Sequence, residues 1–157
     1  NKCNKVLCIK IKKMRKVIDY NKIWTELDLS HLIRTNKREI DRDNTKVVLY
    51  NLVTFCYNKN LLLVYPFNSS DNLKEDLKIQ TNNLSPKGKI LFHSLRDKWL
   101  GYTDNEDGKI DRKSNIKMLD KYYNKLVSEY QEELGKVSLW QSIYEEMLKE
   151  PLLLSNS

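Results

Sequence analysis

The sequence predicts an α+β domain, a small antiparallel sheet joined to a mainly helical C-terminal layer. Three observations predict it. The last third of the chain carries helix start and stop signals around apolar residues spaced three and four apart. The middle holds short apolar and β-branched runs separated by polar turns. The 157 residues, 40% of them hydrophobic, suffice for one sizeable core and argue against wholesale disorder. Residues 1–157 therefore read as a single domain, with a basic N-terminal segment at 1–22 and a helical part at 85–150.

In chain order, Val6–Lys16 reads as a strand with one apolar and one lysine face, since Ile9 and Ile11 oppose Lys10 and Lys12. Residues 23–34 suggest a short amphipathic helix, with Thr25 and Asp28 competing as cap, and Thr35–Asn44 a polar loop. Val47–Tyr57 is nearly continuous in apolar and β-branched residues, so periodicity does not separate buried helix from buried strand. Its length and the preceding Asn44 and Thr45 favour a helix. Asn58–Asn60 is a turn. Leu61–Phe67 reads as a strand, placed at an edge by Pro66, and Leu77–Thr81 as its partner across the polar excursion 68–76 in a long-looped hairpin.

Ser85–Pro86 is a strong helix start, because serine caps and proline fills the first turn without losing a needed N–H. Leu91, Leu95 and Trp99 then share one face, and Gly101 is the expected stop. Ser114 is the expected cap of a helix carrying Ile116, Leu119, Tyr123, Leu126 and Tyr130, stopped by Gly135. Ser138 with Gln141 makes a capping box for a last helix, which Pro151 ends.

Charge and cysteine content narrow the function classes. Residues 1–22 hold eight cations against the single Asp19, which equals the whole net charge of +7, so the remaining body is neutral. Such a segment suits a solvated strand edge, an acidic partner or nucleic acid. Cys3, Cys8 and Cys56 are too few and too irregular for a disulfide framework or a zinc site, which points to a reducing compartment. No apolar run reaches the roughly 18 residues of a membrane span, and Val6–Ile9 is too short for a signal-peptide core. The expectation is a cytoplasmic protein that does not engage a membrane.

No motif fixes a chemistry, and no cofactor or metal ligand set is expected. Asp104-Asn105-Glu106-Asp107-Gly108-Lys109-Ile110 resembles a calcium loop, but Thr103 and Ser114 occupy the two positions that need carboxylates. Asp-Gly also marks ordinary turns. His93 and Asp97 are four apart on a predicted helix and within reach of each other, yet only Cys56 and Ser94 remain as nucleophiles, by elimination. His31 stands alone. Asp76-Leu77-Lys78 is half of a nuclease-like acidic-x-Lys pattern, at a length that chance supplies.

Two resemblances add to this reading. The stretch Leu61–Gly88, with a hairpin leading into Leu84-Ser85-Pro86-Lys87-Gly88, resembles the end of a winged-helix transcription regulator, where a Leu-Thr-x-x-Gly helix start follows the wing. It implies DNA binding, with Val47–Tyr57 as recognition helix. That helix would hold no Lys or Arg, and the wing Asp71–Lys78 three acids against two lysines, so only weak non-specific binding to nucleic acid is expected. Separately, Leu84-Ser85-x-x-Gly88, Lys98-Trp99-Leu100 and Asp104 resemble, over about residues 77–125, small proteins encoded beside bacterial toxins. These include immunity proteins of contact-dependent growth inhibition systems. That resemblance implies a non-enzymatic, stoichiometric inhibitor of a cognate toxin domain, with a nuclease as the expected target. Most such nuclease inhibitors are acidic, and this chain is basic. The expected contact segment is 99–111, where Asp104, Glu106, Asp107 and Asp111 crowd beside Trp99 and Tyr102, aromatic residues next to charges.

Overall fold

The computed structural model describes residues 25–105 and 110–138. Strand β1 (Thr25–Asp28) pairs antiparallel with β2 (Lys78–Gln80), in the register Leu27↔Ile79 and Asp28↔Lys78. Between them in sequence lie α1 (Leu29–Arg34) and α2 (Glu39–Asn58). A 3-10 turn (Thr81–Asn83) leads from β2 into α3 (Pro86–Asp104), and α4 (Ile116–Glu129) follows. The fold is α+β, with a two-stranded sheet and a helical C-terminal layer.

The first correction concerns the single helix expected over 23–34, whose described residues 25–34 are a strand followed by one helical turn and a half. Asp28 is the cap: its carboxylate accepts from the His31 amide at 3.2 Å and the Ser30 hydroxyl at 3.2 Å. The expected loop 35–44 is also largely helical, because α2 begins at Glu39. Local polar chemistry favours this start over a loop. Glu39 and Asp41 put negative charge in the first turn. Arg38 forks onto Asp41 at 2.8 and 3.1 Å, and Asn36 reaches Thr45 at 2.8 Å.

The expected hairpin between 61–67 and 77–81 does not form. Residues 61–67 make only isolated bridges, Leu62↔Leu84 and Phe67↔Leu73, and β2 pairs with β1 instead. Pro66 has no N–H to offer a ladder, and its carbonyl accepts from the Lys74 amide while Leu63 N donates to Asn83. Asn60 and Asp71, both at φ 61°, turn the chain at either side.

Ser85 starts α3 as expected, accepting from the Gly88 amide at 2.9 Å. The helix runs through Gly101, contrary to the expected stop, and ends at Asp104. Nothing crowds Gly101, so neither a close approach nor a left-handed backbone requires glycine there. Gly88 is different. A Cβ on it would lie 2.0 Å from the Leu61 carbonyl oxygen, so α3 packs on the 59–63 turn through bare backbone.

Helix α4 is preceded by Asn115 and not by Ser114, whose amide is held by Asp111 in the turn before it. It breaks at Tyr130, and residues 131–138 are helical again straight through Gly135, the expected stop. The strand expected at Val6–Lys16 and the last helix with its capping box lie outside the described residues.

Leu49, Leu52, Val53 and Cys56 of α2 meet Ile90, Leu91, Leu95 and Trp99 of α3 and Leu119 and Leu126 of α4 in one core, each essentially without solvent contact. Leu27 and Ile79 carry the inner face of the sheet into it. Burying such a side chain contributes roughly 1.5–3 kcal/mol, so this shared set holds the layers together.

Candidate functional site

Cys56, His93 and Ser94, the described candidates for chemistry, each take part in internal packing or pairing. Cys56 is fully buried, and burial pushes its thiol far above the range in which it ionises, so it is no nucleophile. His93 does meet Asp97, Nε2 to Oδ2 at 3.2 Å, and on its other side Nδ1 lies 3.2 Å from Glu26 Oε2. Arg96 joins the same cluster: it donates to the Glu26 backbone carbonyl and lies 3.3 Å from its carboxylate and 3.0 Å from that of Asp97. Glu26 sits at the irregular step of β1, between Thr25 and Leu27. The cluster thus clasps the strand to α3. Ser94 hydrogen-bonds Tyr130.

Among the described residues no three His, Cys, Asp or Glu side chains gather as a metal site. Of the calcium-loop candidates, the Thr103 hydroxyl donates to the Trp99 carbonyl at 2.9 Å, inside the helix.

The segment expected to touch a partner is divided by the structure. Trp99 is corrected from contact residue to core residue: it is 0% exposed, and its indole N–H donates to the Val48 carbonyl at 2.9 Å. Tyr102 is half-buried between the rings of Trp99 and Tyr122, under the Arg112 guanidinium, and its hydroxyl accepts from Asn115 at 2.9 Å. Asp104 and Asp111 are exposed and line one groove with Asp41, Ile40 and Ile110. Two of those three acids are already paired. Arg38 holds Asp41, and Lys113 lies 3.2 Å from Asp111. The Ser114 side chain, then Lys113, holds the Asp111 carboxyl below its ordinary range. Glu106 and Asp107 lie outside the described residues.

A second surface escaped the sequence reading. The Val47–Tyr57 run is not uniformly buried. Leu49, Leu52, Val53 and Cys56 face the core, while Val47 and Tyr50 face out at 38% and 36% exposure. Phe67 packs edge-on against Tyr50, Tyr57 and Tyr65, with ring centroids 6.2, 5.7 and 5.6 Å away. Tyr65 is 53% exposed and Leu63 68%. From Tyr50 and Val47 the surface continues into a groove of about 690 Å3 whose other walls include Ile33 and Arg34 of α1, Lys46 of α2 and Leu73 and Glu75 of the loop. The available signal was the spacing of Val47, Tyr50 and Tyr57, which puts them on one helical face away from the buried stripe. An apolar residue at nearly every position hid it.

No helix among the described residues is long and apolar enough to cross a membrane. Compared with protein-family models, with curated proteins and with solved structures, the chain matches none.

Proposed function

We propose that this chain is an immunity protein, a stoichiometric and non-catalytic inhibitor that docks on a cognate toxin domain. The observation that supports the reading most is the ring surface around Phe67. It presents Tyr50, Tyr65, Leu63 and Val47 to solvent on a scaffold fixed by mutual ring packing. Contiguous exposed apolar surface marks interaction sites, and rigid tyrosines serve as anchors at low entropic cost. Asp104, exposed at the end of α3, supplies a charge at a separate face. The commitment of Cys56, His93 and Ser94 to internal contacts fits a binder better than an enzyme.

The test is co-expression with the product of the adjacent gene, which the proposal requires to be a toxin. The parent protects cells from growth arrest and forms a 1:1 complex by light scattering. The folded variant Tyr50→Ser/Leu63→Ser/Tyr65→Ser loses both. The variant Asp104→Asn/Asp111→Asn slows association, most clearly at low salt. No complex with the parent, or full protection by the folded triple variant, overturns the proposal.

One observation favours a second reading, a winged-helix DNA-binding regulator. The order β1, α1, α2, loop and β2, with β2 returning to pair with β1 and a four-residue link between the helices, resembles that of a winged helix-turn-helix. The exposed start of α2 would then be the reading surface. Its electrostatics oppose this. Arg38 is spent on Asp41 and Arg42 donates to the Asn36 and Lys37 carbonyls, while Glu39 and Asp43 remain exposed. Retention on DNA is expected to be weak, sequence-independent and lost when residues 1–22 are deleted. A sequence-specific footprint that survives the deletion favours the regulator.

A further inference from the structure

The geometry points to a binding site for a phosphomonoester dianion where α2, α3 and α4 meet, built from Lys59 and Lys87 over the ring of Tyr123. Lys59 caps the end of α2, and its ammonium lies 5.2 Å from the Tyr123 centroid and 5.5 Å from that of Phe55. Lys87, from the first turn of α3, places its ammonium 5.2 Å from the same Tyr123 centroid. The two residues are half-buried, and Tyr123 itself is buried.

This arrangement lacks what such cations ordinarily have. Among the described residues neither lysine pairs with a carboxylate, and ring faces are contacts of both. Exposed lysines usually swing apart into water, whereas these converge on one ring from two helices. Lys59 is well placed for the negative end of α2, but Lys87 lies in the first turn of α3, where a cation is disfavoured and no acid offsets it. A cation over an aromatic face gains about 0.5–1 kcal/mol at an exposed site, which pays for one lysine more readily than for two that repel each other.

Local conflicts of this kind are expected at functional or strained sites. Two ammonium groups call for a group with two negative charges. A carboxylate cancels one, while a phosphomonoester carries about −1.5 to −2 at neutral pH and offers three acceptor oxygens to donors that are free to rotate. The site is separate from the ring surface around Phe67 and does not depend on the immunity reading.

The test is urea unfolding of the whole chain in inorganic phosphate against chloride at matched ionic strength. For a dissociation constant of about 1 mM, 10 mM phosphate lowers the unfolding constant about tenfold. Phosphate also strengthens burial non-specifically, so Lys59→Gln/Lys87→Gln sets the background, with an expected change under about twofold. Lys59→Arg/Lys87→Arg keeps the response. O-phosphoserine and adenosine monophosphate distinguish a phosphorylated side chain from a nucleotide as the source, the tighter of the two naming it. Should the glutamine variant unfold without a clean transition, the Tyr123 ring resonances of the parent are the second readout: they shift and saturate with phosphate and stay fixed in chloride. Equal responses of parent and glutamine variant, or ring resonances that do not move, overturn the assignment.

Discussion

Replacing Gly88 by alanine sets two effects of opposite sign against each other. In an unconstrained helix interior alanine is better than glycine by about 1 kcal/mol. Here the new Cβ would lie 2.0 Å from the Leu61 carbonyl oxygen and 2.9 Å from its carbonyl carbon, both backbone atoms that cannot rotate aside. Relief requires the 59–63 turn to move away from α3. That turn is tied to the helix start by the Ser85 amide donating to Leu61 at 3.0 Å and the Ser85 hydroxyl donating to Asn60 at 2.7 Å. Losing both costs about 2 kcal/mol, and overpacking beside the fully buried Leu61 about 1–3 kcal/mol more. Gly88→Ala is therefore destabilising by about 2–4 kcal/mol after the propensity gain. Urea denaturation monitored by far-ultraviolet circular dichroism reads this as a lower midpoint at unchanged slope. A variant as stable as the parent, or more stable, refutes the close approach of α3 to Leu61.

Two further predictions concern Trp99, whose role the structure reassigned, and Asp28, one of the two candidate caps. Trp99→Ala costs about 3–5 kcal/mol and Trp99→Phe about 1–3 kcal/mol, the latter chiefly through the lost hydrogen bond to Val48; a surface contact residue would lose less than about 0.5 kcal/mol by thermal or chemical denaturation. At Asp28 the His31 amide, with smaller help from Ser30 and Lys78, holds the carboxyl below its ordinary value of 3.8. A carboxyl lowered in the folded state stabilises above the unfolded value, and that stabilisation disappears as pH falls through the folded one. Stability of the parent relative to Asp28→Asn should thus be flat at neutral pH and shrink below about pH 4. A difference independent of pH across that range removes Asp28 as the ionised cap of α1.

By itself the sequence determined the features whose causes are local. Ser85 and Pro86 start α3 because hydroxyl capping and a ring without an N–H act within one turn, and Leu91, Leu95 and Trp99 form its buried stripe by spacing alone. The α+β class and the helical state of Val47–Tyr57 were legible from signal placement and run length, whereas which of its residues face the core was not. The tertiary structure decided what depends on distant partners. Residues 77–81 could pair with any extended neighbour; β1, some fifty residues upstream, and the donor-less Pro66 settled it. Gly88 and Gly101 look alike in the sequence, yet the Leu61 backbone presses on the first and nothing crowds the second. The candidate sites divide the same way. Asp104 and Asp111 were legible as exposed acids, but whether an aromatic residue anchors a partner or fills a core depends on which element packs over it. That put Trp99 inside against α2 and left Tyr50 and Tyr65 outside around Phe67. Lys59 and Lys87 meet over Tyr123 only because the turn at 59–63 folds against the start of α3, a contact between residues twenty-eight apart that no local pattern encodes.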